Sequence, residues 1–113
     1  MNPKKFEIWI ANLNPSHGTE PGKVRPVVVI QTNLLNPVHS SIIICPITTN
    51  VTPKATLLRV HLPKKGSGLS KDSDILVDQI RAIDNRRLTK KVGKLNPSQR
   101  EKLLQNLQVL ILE

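Results

Sequence analysis

The segment HGTEPGKVRPVVVIQ, residues 17–31, joins a glycine-flanked turn to an apolar run and organises the rest of the chain. Gly18 and Gly22 bracket one acid, Glu20, and the turn delivers Arg25 to the mouth of a strand over residues 27–30. Proline fixes its own φ and biases the preceding residue to extended geometry, so Pro26 holds Arg25 where the chain turns inward. A guanidinium placed this way suits a phosphate. On these residues alone, a strand-end arginine paired with Glu20 is an equal reading.

Outward from this segment the chain reads as short strands. Residues 6–13 alternate Phe6, Ile8, Ile10 against Glu7, Trp9, Ala11, a period of two. Residues 27–31 and 41–47 are β-branched runs too continuous for half-exposed strands, and are expected at the centre of a sheet. Residues 33–39, with Asn36-Pro37, form a loop, and residues 57–62 and 73–83 are further strands. The cationic segment 64–68 is a hairpin or loop, and Asp84 caps a short helical turn over residues 84–88. Asn96, Pro97 and Gln99 predict a capped helix start, with Leu103, Leu107, Leu110 and Ile111 along one apolar stripe. Several short strands and one terminal helix make an α+β chain, a small, strongly bent antiparallel sheet or barrel, with residues 1–113 expected as one domain.

Composition narrows the partners. The formal net charge is +9, and residues 58–113 hold 12 of the 17 lysines and arginines, so a polyanion is favoured. Between Asn85 and Leu95 stand five cations and no acid, a run that equally suits a solvated helix or loop face. Phe6 and Trp9 are the only aromatics, too few for a module that stacks bases on exposed rings. Single-stranded RNA would be held by phosphate charge, backbone donors and polar side chains. The lone Cys45, inside SIIICPI, excludes an intrachain disulfide or cysteine metal cage and reads as a buried inert thiol. His17, His39 and His61 lack metal-ligand spacing, so no metal and no cofactor is expected. Neither a signal peptide nor a membrane-spanning run is apparent, and the cytoplasm is the expected compartment.

Four ordered motifs now combine: FEIWIANLNP (6–15), the loop with Gly18-Thr19-Glu20 leading to Arg25-Pro26, PITTN (46–50) and DQIRAID (78–84). Together they resemble the MazF/PemK (Kid) family of toxin endoribonucleases, over most of the chain. The resemblance implies an SH3-like antiparallel β-barrel with a C-terminal helix, of the CcdB/PemK plasmid-maintenance toxin type. It further implies a homodimer, an acidic MazE-like antitoxin, and metal-independent, sequence-specific cleavage of single-stranded mRNA to 2′,3′-cyclic phosphate and 5′-hydroxyl ends.

The family pairs an arginine with a threonine or serine, and these positions are Arg25 and Thr48 here. From sequence alone Thr48 reads as a turn or cap residue. Glu20 matches the family's loop glutamate, which either takes the 2′-proton or orients Arg25. Asp78 matches an acid–base position of the Kid branch. That branch carries an arginine two residues before the aspartate and a histidine before the glutamate, where this chain has Leu76 and Thr19. The departure favours the Arg25–Thr48 pair as catalytic and gives Asp78 and Gln79 a groove or base-reading role. Lys23, Gln31, Thr49, Asn50 and His17 complete the expected RNA contacts. Two other classes fit the same barrel: a non-enzymatic CcdB-like gyrase poison and a bare basic nucleic-acid-binding barrel. The first lacks support at the C-terminus, where Leu110-Ile111-Leu112-Glu113 stands in place of CcdB's Trp-Gly-Ile.

Overall fold

Strands whose two faces are both apolar must be covered on both sides, and that requirement shapes this molecule. The computed structural model describes residues 2–14, 18–19 and 23–113. Its strands are β1 (Glu7–Asn12), β2 (Val24–Val29), β3 (Ser41–Thr48), β4 (Arg59–Leu62), β5 (Ser73–Leu76), β6 (Arg81–Asp84) and β7 (Leu88–Lys94), followed by helix α1 (Pro97–Leu107). Every strand pairing is antiparallel. β1 lies between β2 and β7, and β3 pairs with β2 along one side. Along its other side β3 meets β6 through residues 41–44 and β5 through residues 47–48, and β4 adds outside β5.

Alternate residues of the central strands enter two different cores. Trp9, Ala11, Val27, Val29, Ile42 and Ile44 meet Ile83 of β6 and Leu88 of β7 in one. Beside this core the 3-10 turn Asn85–Arg87 carries the chain from β6 to β7. Ile8, Val28, Cys45 and Ile47 face the other way and pack with Val60, Leu62, Ile75 and Leu103. The second core is therefore covered by the β4–β5 hairpin and α1. The continuous β-branched runs are central for this reason, as their composition predicts.

Both predicted helical starts are present. Asp84 Oδ1 accepts the Arg86 backbone N–H at 2.9 Å. At α1, Asn96 Oδ1 accepts from Gln99 N while Gln99 Oε1 accepts from Asn96 N, with Pro97 in the first turn. Asn96→Ala removes this reciprocal pair and is expected to destabilise the fold by about 1 kcal/mol. A urea titration checks it: the midpoint falls while the slope is unchanged.

Four expectations are corrected. β2 begins at Val24, so Arg25 and Pro26 lie within the strand, Pro26 opposite Ile10. The single strand over residues 73–83 is two, β5 and β6, separated by the 3-10 turn Val77–Gln79 beside β3. The cationic run after Asn85 passes through the 3-10 turn Asn85–Arg87 into β7, which is held by its pairing to β1 rather than by its own sparse apolar residues. On the predicted helix stripe only Leu103 is fully buried. Leu110 and Ile111 are exposed, in the π-helical segment Gln108–Leu112. Among the described residues no helix is long and apolar enough to cross a membrane.

Candidate active site

Arg25 lies near the start of β2 and Thr48 at the end of β3, its antiparallel neighbour. The β2–β3 ladder runs Val29↔Ile44, Val28↔Cys45, Val27↔Pro46. The ladder's pairs end at Val27↔Pro46; continued by two residues, the same antiparallel register would set Arg25 of β2 opposite Thr48 of β3. Both side chains are partly buried. Thr48 Oγ1 accepts the Asn50 N–H at 3.1 Å, which leaves the hydroxyl's own proton to donate elsewhere. Thr48 thus plays the turn-capping role its sequence suggests and still has a donor to offer.

The loop that carries Glu20 leaves β1 and enters β2 through a clamped neck. Leu13 N–H donates to Lys23 O at 2.9 Å, and Lys23 N–H to Asn14 Oδ1 at 2.7 Å. Arg87 fixes the same end of β1 by donating to the carbonyls of Asn12 and Asn14. Lys23, exposed and at φ 69°, projects from this neck. Glu20 and His17 lie outside the described residues.

A groove of about 410 Å³ joins the β1–β2 loop, the β3–β4 connection and the turn Val77–Gln79. Thr19 borders it on one side, Asp78 and Gln79 on another, and Thr52, Leu58 and Arg59 on a third. Arg25 and Thr48 are not among its lining residues. Thr49 and Asn50 are exposed at the end of β3. A larger cleft, about 510 Å³ between Pro3, Pro37 and Arg86, takes in none of the expected site residues.

Gln31 is placed differently from the other expected contacts. It is 6% exposed. Its amide donates to Asn36 Oδ1 and the Ser41 carbonyl, and its oxygen accepts from Ile43 N–H. Every polar group of that side chain braces the loop between β2 and β3. Cys45 is fully buried, and burial, with the nearby Asp78 charge adding to it, pushes its thiol up to about 12. It is inert as a nucleophile, as its apolar setting predicts. Among the described residues no three His, Cys, Asp or Glu side chains converge as a metal would require.

One cluster was not anticipated from the sequence. Asp74 of β5 is fully buried and stands opposite both Thr48 of β3 and His61 of β4. His61 Nδ1 lies 2.6 Å from Asp74 Oδ1, and because a carboxylate only accepts, that nitrogen carries the proton. Asp74 Oδ2 accepts from Arg59 at 3.1 Å and from Thr52 N–H at 2.8 Å. His61 is thus an acid-paired strand residue and not a lone surface histidine. Its signal was the alternation of Arg59 and His61 on one strand with an acid inside another, a cross-strand charge pattern visible only once the pairing is known.

Comparison with known proteins agrees with this architecture. A sequence model of the PemK-like, MazF-like toxins of type II toxin-antitoxin systems matches residues 4–111. Endoribonuclease EndoA of Bacillus subtilis (strain 168) is 36% identical over 109 residues, covering 96% of this chain and 94% of that protein. The crystal structure of MazF from Deinococcus radiodurans superposes with a TM-score of 0.85 at 24% identity, covering 100% of this chain and 99% of that one. A MazE-MazF crystal structure from the same organism matches with a TM-score of 0.77 at 25% identity, over 98% of this chain and 96% of that one.

Proposed function

Since this chain belongs to the PemK-like, MazF-like toxin family of type II toxin-antitoxin systems, we propose that it is an endoribonuclease that cuts single-stranded mRNA at the Arg25–Thr48 face. The observation that supports this reading is the antiparallel β2–β3 ladder, whose register, continued past Val27↔Pro46, pairs a guanidinium with a hydroxyl. RNA supplies its own nucleophile, the 2′-hydroxyl adjacent to the scissile phosphate. The protein has to align that oxygen with the leaving 5′-oxygen, move two protons and stabilise the charge that builds on phosphorus. Arg25 meets the last need, since its planar fork donates two parallel hydrogen bonds to phosphate oxygens. Thr48 donates a third from the neighbouring strand. Glu20 orients Arg25 or accepts the 2′-proton.

Asp78, Gln79, Thr49, Asn50 and Lys23 flank the path of the strand and supply base-edge and phosphate contacts. The net charge of +9 draws RNA in and gives an acidic antitoxin a complementary surface. EndoA is named an endoribonuclease, and the Deinococcus radiodurans toxin crystallises with MazE. By extension this chain acts in the cytoplasm as a homodimer and is silenced by a MazE-like antitoxin. Because the nucleophile is internal to the substrate, cleavage is expected to persist in EDTA. The fragments should accept phosphate from polynucleotide kinase without prior dephosphorylation, the mark of 5′-hydroxyl ends. Loss of cutting in EDTA, or 5′-phosphorylated fragments, would rule the mechanism out.

A further inference from the structure

Resting on that reading, we propose that Asp74 and Arg59 are positioning residues, which hold the chain just after Thr48 in the geometry cleavage requires. Among the described residues, the two side-chain hydrogen bonds that tie segment 49–52 to β4 and β5 both run through this pair. Asp74 Oδ2 accepts the Thr52 N–H at 2.8 Å, and Arg59 donates to the Asn50 carbonyl at 2.8 Å. The same Arg59 nitrogen donates to Asp74 at 3.1 Å, so the two ties form one connected unit. The remaining bonds of the segment are local, such as Val51 N–H to Thr49 O and Asn50 N–H to Thr48 Oγ1. Asp74 is also the cross-strand partner of Thr48 itself. One residue therefore meets both, its backbone pairing with the strand end that carries the hydroxyl and its buried carboxylate holding the backbone that leaves it.

Neither residue belongs to the apolar cores, which keep β4 and β5 in place through Val60, Leu62 and Ile75. A carboxylate withdrawn from water is tolerated only when its lone pairs are filled, and here Arg59, Thr52 and His61 fill them. The arrangement costs desolvation and adds no apolar contact. Its return is a fixed loop at the edge of the groove, of which Arg59 and Thr52 are walls.

Asp74→Asn and Arg59→Gln in the full chain test this, with a short fluorogenic RNA and amide hydrogen exchange at Asn50, Val51 and Thr52. Each variant is expected to exchange at least 10-fold faster at these amides. Each should lower kcat by about 10- to 100-fold, the loss that misplacement by about 1 Å produces, with KM changed less than about 3-fold. The double variant should be little worse than either single one, because the pair acts as a unit. Unchanged kcat would overturn the proposal, as would a loss that follows only the fraction of folded protein. If Asp74→Asn does not fold, Arg59→Gln decides alone, since its side chain is 20% exposed and outside both cores. Wild-type protein that leaves the RNA whole removes the nuclease reading and this proposal together; wild-type cleavage with unaffected variants removes only the proposal.

Discussion

Arg25→Ala is expected to lower kcat/KM for RNA cleavage by about 100- to 1000-fold, the loss seen when one preorganised donor to a developing oxyanion is removed. The effect should fall chiefly on kcat, because the charge that Arg25 meets grows as the phosphorane forms. Stability should be nearly unchanged. The side chain is only partly buried, and neither apolar core includes it. Arg25→Lys should recover a small part of the activity, since an ammonium restores charge but not the planar two-donor fork. The measurements are initial rates on a short single-stranded RNA and thermal melts of the same preparations. A fully active Arg25→Ala protein with an unaltered melt would leave the Arg25–Thr48 face without a catalytic role.

Why the sequence nominates Arg25 and Thr48 but not Asp74 comes down to what family motif and local pattern encode. The Arg-Pro pair and the PITTN motif single out this part of the chain, although both prolines lie within strands, Pro26 opposite Ile10 and Pro46 opposite Val27. The uninterrupted runs of β2 and β3 record burial on both faces, and the burial of Val27, Val28, Val29, Ile44 and Cys45 bears that out. Capping at Asn96 is local chemistry and is reproduced bond for bond.

Features set by tertiary pairing left weaker traces. β7 contributes Leu88 to the barrel core and otherwise shows cations, because its stability comes from β1 across the ladder. The break between β5 and β6 reflects how both must lie along one side of a single strand, a demand absent from residues 73–83 themselves. Leu110 and Ile111 continue a helical stripe in sequence, yet the surface that Leu103 packs on ends before reaching them. Gln31 illustrates the opposite error: a polar residue after a strand suggests a ligand contact, and only the fold reveals that its amide is consumed by Asn36, Ser41 and Ile43. Asp74, Arg59 and His61 are separated by up to 15 residues and meet only through the β4–β5 register.

An RNA carrying a single 2′-deoxyribose on the 5′ side of the scissile phosphate is expected to resist cleavage entirely at that bond, while the unmodified RNA is cut. In the proposed mechanism nothing replaces the missing oxygen. Thr48 Oγ1 accepts the Asn50 N–H and in that mechanism donates to phosphate, and Cys45 is buried with its thiol pushed up to about 12. Water has no dedicated base directed at it in a scheme where the attacking oxygen is part of the substrate. The modified RNA should still bind, because phosphate charge dominates attraction to a protein of net charge +9, and its Kd should rise steeply with salt. It should therefore inhibit cleavage of unmodified RNA competitively. The experiment separates three readings of the same barrel. Binding without cutting of either RNA would mark a passive nucleic-acid-binding module. Cutting of both would show that the nucleophile comes from the protein or from water. Cutting of the ribose strand alone, with competition by the deoxy strand, is the outcome that a guanidinium–hydroxyl pair acting on an internal nucleophile requires.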